Sequence, residues 1–561
     1  MAGGRSASHR KIKDQDTLVS KGGNVISSST FKYVVNHVIA HGDTDIFPLP
    51  IEARVFKDKP DETISLLKSI DTKFDDYFHK DAPENHRALS GVGYTGFRWA
   101  AQLDPLWNLY FLALVWELSE EIEESRVRTE KEVVFSYRRA DPKDDPTLFT
   151  PSIGWKEFRA KSAKMAAQHK YVLVCDISDF YSRVYHHRLE NALLQAAKAK
   201  SPKKIALVKR IMLFLQHFSH NNSYGLPVGG NAARFLSELL LTRTDKLFLA
   251  NGIKFCRFAD DYCVFADTED EAFRCLVAMS ELLLRNEGLS LQKSKTRIVS
   301  GAEFISENNF EYDDEKDHGA EASRFLRLSL HYDPYSPTAD ADYELLKEEL
   351  SGIDVQRLIA RELAKSRVHN AMARKLIDVV RHLPEAQKHQ SIQSFIENYG
   401  VLAPLFPTLM RLLKREFSDL PAGVRISVIE SIGKLIANDS HITQIEINLL
   451  YAIRVMSEMH TDESEEMLNL AYRKTASALV RREIMLTMAK WGALHWVSDK
   501  KSMFSSFTKW ERRSFIICAP LLDDEGKHWL AKAKKGFSLF DSLCESWASD
   551  KYKSGSLQGL L

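Results

Sequence analysis

The amino-acid sequence predicts an α+β domain with a mainly antiparallel sheet, followed by an all-α domain of HEAT-like helical repeats. The chain has 561 residues, more than one hydrophobic core usually serves, so two or more domains are expected. Between residues 131 and 330, short runs of β-branched and aromatic residues alternate with helical patterns. After residue 340 strand signals nearly vanish, and helical patterns continue to about residue 550.

The composition is that of an ordinary soluble globular protein. Hydrophobic residues make up 44% of the chain, and 77 Lys and Arg side chains nearly balance 76 Asp and Glu. Any contact with nucleic acid must therefore come from locally basic surface. The six cysteines are scattered without a CxxC pair, which favours reduced thiols. No apolar run reaches the length of a signal-peptide core or a membrane span, so a cytoplasmic protein without a membrane partner is expected.

The first domain is expected to span residues 29–335, after a flexible N-terminal segment at 1–28 that is polar and rich in Gly, Ser and Lys. Four runs predict its strands: 131–138, 170–178, 253–267 and 323–332. Helical patterns lie around them: 106–128, 189–199, 232–249 and 271–287. The segment PYSPTAD (334–340) marks the predicted linker to the second domain.

The second domain, residues 340–555, is predicted to be a helical repeat array. VRISVIESIGK (424–434) resembles VRREIMLTMAK (480–490), and each reads as one helix with an apolar stripe. RRSFII (512–517) also resembles RREIML (481–486), and the two pairs are separated by different distances along the chain, so a plain helical bundle remains the alternative. Stacked helices would provide an extended surface for oligomer formation or for guiding nucleic acid.

Three carboxylates carry the most specific chemical signal. Asp176 ends the apolar run of YVLVCDISDFY, and Asp260 and Asp261 interrupt two apolar runs in FCRFADDYCVF, where a tight hairpin turn is expected. Adjacent acids repel each other and therefore call for a cation. Two divalent ions, Mg²⁺ with Mn²⁺ as the alternative, would serve as metal cofactors of a nucleotidyl transfer. The competing interpretations are an ordinary cap or turn residue for Asp176 and a solvated acidic turn for the pair.

Between the acids lies NNSYGLPVGGNAARFLSELLL (221–241), a glycine-rich turn that opens a long helix. Glycines such as Gly229 let the backbone approach a ligand closely, and Pro227 stiffens the start of the turn. A simple helix-capping turn is the alternative.

Read in order, these segments resemble the palm domain of reverse transcriptases. DISDFY resembles motif A, GLPVGGNAAR motif B, FADD motif C and LSLQKSKT (289–296) motif D. The resemblance covers roughly residues 90–335 and implies a fingers and palm domain. It also implies a nucleotidyltransferase, an RNA-directed or reverse-transcriptase-like DNA polymerase, that uses dNTPs and releases or retains a DNA product.

The resemblance implies roles for individual residues. Asp176, Asp260 and Asp261 would be the catalytic metal ligands, and Tyr181 would exclude a 2′-hydroxyl. Asp179 and Phe180 would bind the nucleotide through their backbone amides, and Gly229 would also lie at the nucleotide. Arg138, or its alternate Arg139, would bind phosphate. Lys295 would donate a proton to pyrophosphate. The alternatives are a core aromatic for Tyr181, a strand-edge arginine for Arg138 and a surface lysine for Lys295.

Two departures from the usual motifs narrow the resemblance. Val228 stands where motif B usually has glutamine, and Phe258 where motif C usually has tyrosine. With the segment 334–350 and the helical tail, Val228 makes the chain similar to bacterial abortive-infection and defence-associated reverse transcriptases of the AbiK-like type. That resemblance implies anti-phage defence, a homo-oligomer, and template-independent DNA synthesis primed from protein, with the DNA covalently attached. The alternatives are copying of a partner non-coding RNA and a non-catalytic nucleic-acid-binding scaffold.

Overall fold

The computed structural model describes residues 23–42, 44–142, 146–198, 201–309, 325, 350 and 352–561. The predicted linker at 334–340 lies outside the described residues, as does most of the predicted N-terminal segment 1–28 and all but one residue of the predicted strand at 323–332. No helix in the described ranges is both long and apolar enough to cross a membrane.

Four helices open the described chain: α1 Ser28–His41, α2 Glu52–Asp58, α3 Pro60–Thr72 and α4 Phe74–Lys80. Helix α1 starts where the Ser27 hydroxyl accepts a hydrogen bond from the Thr30 amide at 3.2 Å. Its buried residues include Phe31, Val34 and Val38, which recur at the spacing of one helix face. This face packs against helix α5, Pro105–Trp116, all of whose residues are buried.

An antiparallel hairpin precedes α5: β1 Asn85–Val92 and β2 Gly96–Leu103. The sequence pattern did not predict it, because the outer half of β2 carries exposed apolar side chains that break the usual polar alternation. The helix predicted at 106–128 is two helices, since it is interrupted at Glu117 and Leu118 before α6, Ser119–Ser125.

The central sheet has four antiparallel strands in the order β4-β5-β3-β6. The strands are β3 Tyr171–Asp176, β4 Phe255–Phe258, β5 Asp261–Ala266 and β6 Arg297–Ser300. The predicted strands at 170–178 and 253–267 are thus confirmed. The helices of this part are α7 Trp155–Ala166, α8 Phe180–Arg183, α9 His186–Ala196, α10 Pro202–Phe218, α11 Asn231–Ala250, α12 Glu269–Glu287 and α13 Gly301–Asn309.

The two faces of the sheet are covered by different helices. Helix α12 packs on β3 and β5 from one side, and α7 and α13 pack on the sheet from the other. Because successive strand residues point to opposite faces, Leu173 faces the main core while Val172 joins a second, smaller cluster with Phe158 and Phe265. The predicted layered α+β arrangement is therefore present.

The predicted strand at 131–138 does not form. A short 3-10 helix occupies Thr129–Lys131, and only an isolated bridge joins Val134 to Arg257. Tyr137 has a positive φ of 47°, which breaks an extended conformation. Val134 and Phe135 are buried, and Val133 and Tyr137 half-buried, by tertiary packing instead of by a strand ladder.

The remainder of the described chain is helical. Its α-helices are α14 Val355–Leu363, α15 Asn370–Val379, α16 Glu385–Glu397, α17 Phe406–Glu416, α18 Ala422–Ala437, α19 Glu446–Met456, α20 Asp462–Lys474, α21 Ala478–Trp491, α22 Leu494–Asp499, α23 Lys509–Cys518, α24 Asp523–Ala533, α25 Leu539–Lys553 and α26 Leu557–Leu560. Helices α17, α19, α21, α23 and α25 pack in succession as one layer, and α16, α18 and α20 form a second. Capping boxes fix the starts of α20, α23 and α25.

Buried ion pairs join the C-terminal helices to the N-terminal ones. Arg513 on α23 donates to Glu52 at 3.0 Å and lies 2.8 Å from the Asp104 carboxylate, and all three side chains are almost fully buried. Trp547 on α25 donates its indole N–H to Asp58 at 2.7 Å. Removal of Arg513 would leave the buried Asp104 carboxylate without its positive partner. These contacts therefore hold the C-terminal helices against the N-terminal ones.

Candidate active site

The three acids predicted to be catalytic meet at one end of the central sheet. Asp176 ends β3 and pairs in register with Asp261, the first residue of β5. The turn between β4 and β5, which together form the acidic hairpin (Phe255–Ala266), consists of Ala259 and Asp260. The main-chain oxygen of Asp260 accepts from the Ile177 amide at 3.1 Å, which ties the turn to the chain after Asp176.

Ala259 has a positive φ of 51°. Residues other than glycine rarely adopt this backbone conformation. It persists only where the surrounding structure enforces it, most often at functional sites. The strained residue immediately precedes Asp260, so the strain lies in the turn that presents the carboxylates.

Two of the three carboxyl groups have a raised pKa. Burial, with repulsion from Asp176, raises the pKa of Asp261 to about 6. Burial and the charges of Asp176 and Asp261 raise the pKa of Asp260 above its usual range. Acids that oppose their own ionisation in this way gain most from a bound cation.

Lys295 supplies a positive charge at the site. Its ammonium donates to the Asp176 carboxylate at 2.6 Å, although the lysine side chain is 63% exposed. Main-chain hydrogen bonds hold the segment that carries Lys295 beside motif A. The Gln292 backbone N–H donates to the Asp176 backbone carbonyl at 2.7 Å, and the Ser178 backbone N–H donates to the Ser290 backbone carbonyl at 2.9 Å. Lys295 therefore lies beside Asp176, and its role as a proton donor stays a prediction.

The acids suit hard divalent cations in their chemistry, because all three offer carboxylate oxygens. Within the described ranges, no three or more His, Cys, Asp or Glu side chains are already gathered as metal ligands. The fit rests instead on the β3 and β5 register and on the mutual repulsion of the acids. Asp176, Asp260 and Asp261 would hold the ions, and the Lys295 ammonium would have to yield part of its contact with Asp176.

A fully buried arginine, Arg257, joins the acidic hairpin to helix α11. Arg257 on β4 donates to Asp245 at 2.9 and 2.6 Å and to Glu238 at 3.0 and 2.9 Å, and to the Ala259 carbonyl at 2.8 Å. These bonds use all five N–H donors of the guanidinium. Burial opposes its charge, but the two carboxylates raise the pKa of Arg257 well above its ordinary value.

The same network reaches the residues before the sheet. Glu238, on α11, also accepts from Arg126 at 2.6 Å and from the Ser136 hydroxyl at 2.5 Å. Because α11 continues directly from the glycine-rich turn, Glu238 links that turn to the acidic hairpin. Nothing in the sequence pattern singled out this glutamate or Arg257, since charged residues inside apolar runs give no sign of their partners.

Tyr181 lies on α8, five residues after Asp176, with its ring against Phe180 and its hydroxyl 3.4 Å from the Ser237 hydroxyl. Burial raises the pKa of Tyr181 above its ordinary range. Phe180 is buried, whereas the Asp179 side chain is exposed and its φ is +49°. The Tyr181 ring is therefore held by Phe180 and Ser237, and its expected place beside the sugar stays a prediction.

Gly229 has a φ of +120°, and a Cβ there would lie 3.2 Å from the Thr44 hydroxyl oxygen. A side chain would therefore be strained and crowded, which explains the glycine on structural grounds. The neighbouring Val228 carbonyl accepts from the Ala101 amide at 2.9 Å, so the turn is fastened to β2.

Arg138 does not lie where its predicted role requires. Its side chain is 2% exposed and donates to Glu123 at 2.8 Å and to the Val127 carbonyl at 2.7 Å. This buried position contradicts the expectation that Arg138 binds phosphate. The tight turn at Tyr137 directs the Arg138 side chain inward instead. The alternate, Arg139, stacks on Trp116 at 5.1 Å and donates to the Ser119 hydroxyl at 2.9 Å.

Two other arginines belong to the surroundings of the site. Arg159 on α7 lowers the pKa of Asp261 through its charge, against the larger effect of burial. Arg234, one turn into α11, stacks over the Tyr137 ring at 5.2 Å and donates to Asp45 at 2.7 Å. The sequence signal for Arg234 was its place at the end of GLPVGGNAAR; Arg159 had none.

The comparisons with known proteins agree with this geometry. Residues 129–326 match the family model described as reverse transcriptase (RNA-dependent DNA polymerase). A search of the curated proteins gives no match. Among solved structures, apo telomerase from Candida tropicalis is similar at 10% sequence identity and a TM-score of 0.30, over 69% of this chain and 74% of that chain. Residues 129–326 thus constitute a reverse transcriptase domain, and the chain is a nucleotidyltransferase of the RNA-directed DNA polymerase class.

Proposed function

We propose that this protein synthesises DNA from dNTPs with Asp176, Asp260 and Asp261 as the ligands of two Mg²⁺ ions. The observation that carries the proposal is the register of β3 and β5, which pairs Asp176 with Asp261 beside the turn that holds Asp260. Bound there, divalent ions supply activation of the attacking 3′-hydroxyl and stabilisation of the leaving pyrophosphate. Mn²⁺ is the alternative ion.

The surrounding residues have proposed roles of their own. Tyr181 excludes the 2′-hydroxyl of a ribonucleotide with its fixed ring, and the amides of Asp179 and Phe180 bind the triphosphate. Gly229 allows the backbone to approach the incoming nucleotide. Lys295, held by Asp176 at 2.6 Å, donates a proton to the departing pyrophosphate.

The proposal extends to a biological role, template-independent and protein-primed synthesis in bacterial anti-phage defence. Val228 supports it, because a hydrocarbon side chain replaces the amide that usually contacts the nucleotide and template. The tail at 340–555, proposed to be a HEAT-like repeat array, supports it too, because stacked helices offer a surface for a homo-oligomer. The protein would act in the bacterial cytoplasm, with the DNA covalently attached.

The test is incorporation of each labelled dNTP by purified protein with Mg²⁺ and no added template. Product that stays with the polypeptide after denaturation and is released by protease supports synthesis from a protein primer. Free product contradicts protein priming, and dependence on an added template contradicts template independence. The inactive reference is Asp260→Ala combined with Asp261→Ala.

One observation favours a second candidate, copying of a partner non-coding RNA: the matched family is described as RNA-dependent. RNA that co-purifies with the protein and matches the sequence of the DNA product would support it. Product of unrelated sequence would contradict it.

A further inference from the structure

A cavity of about 500 Å³ lies between the β1–β2 hairpin and the loop that leads to the glycine-rich turn. Its lining includes Arg87 and Trp99 from the hairpin, and Asn222 and Tyr224 from the loop. Its volume is within the range of small-ligand sites. The acids of the candidate active site do not line it.

Two aromatic rings at this cavity are unusually exposed. Trp99 is 48% exposed and Tyr224 is 55% exposed. Each ring has a partner: the Arg87 guanidinium lies 5.1 Å from the Trp99 ring centroid, and Tyr185 stacks on Tyr224 at 4.9 Å with a 28° angle between the rings. Rings held in this way lose little conformational freedom when a flat ligand stacks on them.

The polar lining suits the edges of a nucleobase. The Asn85 side chain donates to the Phe218 carbonyl at 2.9 Å, while its own carbonyl oxygen is buried without a hydrogen-bond partner. Asn221 and Asn222 add further amide groups. None of the described residues that line the cavity carries a carboxylate, and Arg87 carries a positive charge. The cavity therefore attracts a negatively charged nucleic-acid strand.

The cavity wall is joined directly to the residues around the polymerase site. Within the loop, Leu226 donates its amide to the Tyr181 carbonyl at 2.8 Å, and Gly225 donates its amide to the Val184 carbonyl at 2.9 Å. A strand whose base occupies the cavity therefore runs close to the ring proposed to select the sugar.

We propose that this cavity binds an unpaired nucleobase of a single-stranded nucleic acid held by the polymerase. Stacking on Trp99 and Tyr224 tolerates any base, because every base has a π face, and Arg87 attracts the backbone phosphate. The site rests on the proposed function, since a polymerase must hold the strand that it extends or copies. The shared chemistry is the unpaired base, whether the strand is DNA or RNA.

The test is fluorescence anisotropy of the full-length protein with labelled oligo-dT and oligo-rU. Trp99→Ala and Tyr224→Ala are each expected to weaken binding about tenfold, whereas Trp99→Phe and Tyr224→Phe keep a stacking ring and bind nearly as the wild type. Phe273→Ala is the matched control, because Phe273 is 58% exposed on α12 and lies outside the cavity.

Equal affinities of Trp99→Ala, Tyr224→Ala and Phe273→Ala for both oligonucleotides would overturn the site. Tighter binding of oligo-dT assigns the cavity to a DNA strand, and tighter binding of oligo-rU assigns it to RNA. Photo-crosslinking of the wild type with 5-iodouracil oligonucleotides should label Trp99 or Tyr224 even if a variant fails to fold; crosslinks confined to other regions overturn the site.

Incorporation measured on the same samples separates the two proposals. Protein that binds through Trp99 but incorporates no nucleotide refutes the proposed function and leaves the cavity site standing. Protein that incorporates nucleotide with unchanged binding in Trp99→Ala refutes the cavity site alone.

Discussion

Arg257 donates a hydrogen bond of 2.8 Å to the carbonyl oxygen of Ala259, the residue of positive φ immediately before Asp260. The same guanidinium is held by Asp245 and Glu238 on α11. The conformation of the acidic hairpin is therefore enforced by a buried ion network rather than by the turn sequence. This relationship makes Arg257 a positioning residue for the acids that are proposed to bind the metal ions.

Arg257→Lys should lower the turnover number about a hundredfold, because one ammonium cannot make five directed hydrogen bonds and small displacements of catalytic groups are costly. The KM for dNTP should change little, since Arg257 does not contact the nucleotide. Steady-state incorporation and thermal unfolding measure both effects. Arg243→Lys, on the exposed side of α11, is the control; a turnover number equal to that of the control would show that Arg257 does not position the acids.

The metal-free protein should lose stability as the pH rises. The pKa of Asp261 is raised to about 6 and that of Asp260 is raised as well, so the folded state holds protons that the unfolded chain has released. Their contribution is favourable at low pH and is lost as the pH rises through the folded pKa.

Between about pH 4.5 and 7.5, the wild type in EDTA should lose about 1–3 kcal/mol of unfolding free energy relative to Asp260→Asn with Asp261→Asn. Mg²⁺ should restore stability at the higher pH in the wild type and in the Asp267→Asn control, but not in Asp260→Asn with Asp261→Asn. Urea unfolding at both pH values measures the difference, and Asp267→Asn serves as the exposed control. Parallel pH curves for all three proteins would contradict the mutual repulsion of the acids.

Tyr181→Ala should admit ribonucleotides, because the ring held between Phe180 and Ser237 would no longer fill the space beside the sugar. The preference for dNTP over rNTP in kcat/KM should fall about 10- to 100-fold. Tyr181→Phe keeps the ring and should keep the preference. An unchanged preference in Tyr181→Ala would give the tyrosine a packing role only.

Arg138→Ala should destabilise the fold without weakening nucleotide binding. Removing the buried guanidinium leaves one carboxylate oxygen of Glu123 and two carbonyl oxygens without their donor, at a cost of about 1–3 kcal/mol. Thermal unfolding and the KM for dNTP separate the two roles. A raised KM at unchanged stability would restore the phosphate-binding role first predicted for Arg138.

The parts of the fold that the sequence predicts are those with local signals. The β3 run and the β4–β5 hairpin combine alternating apolar residues with acids at their ends, and both are observed. The run 131–138 has the same composition but is not a strand, because Tyr137 adopts a positive φ and tertiary contacts decide the outcome. Motif order places Asp176, Asp260 and Asp261 together, whereas the ion pairs of Arg257 join residues whose proximity no periodicity reveals.

The most direct test of the account is incorporation of labelled dNTP by the wild type and by Asp176→Asn, Asp260→Asn and Asp261→Asn in the presence of Mg²⁺. The wild type should incorporate nucleotide. Each variant should fold and lose at least about a hundredfold in rate, and Asp260→Asn and Asp261→Asn should unfold at the same or a higher temperature without metal. Asp267→Asn should incorporate at the wild-type rate. Incorporation by Asp260→Asn or Asp261→Asn at the wild-type rate would contradict the claim that these carboxylates hold the catalytic metal ions.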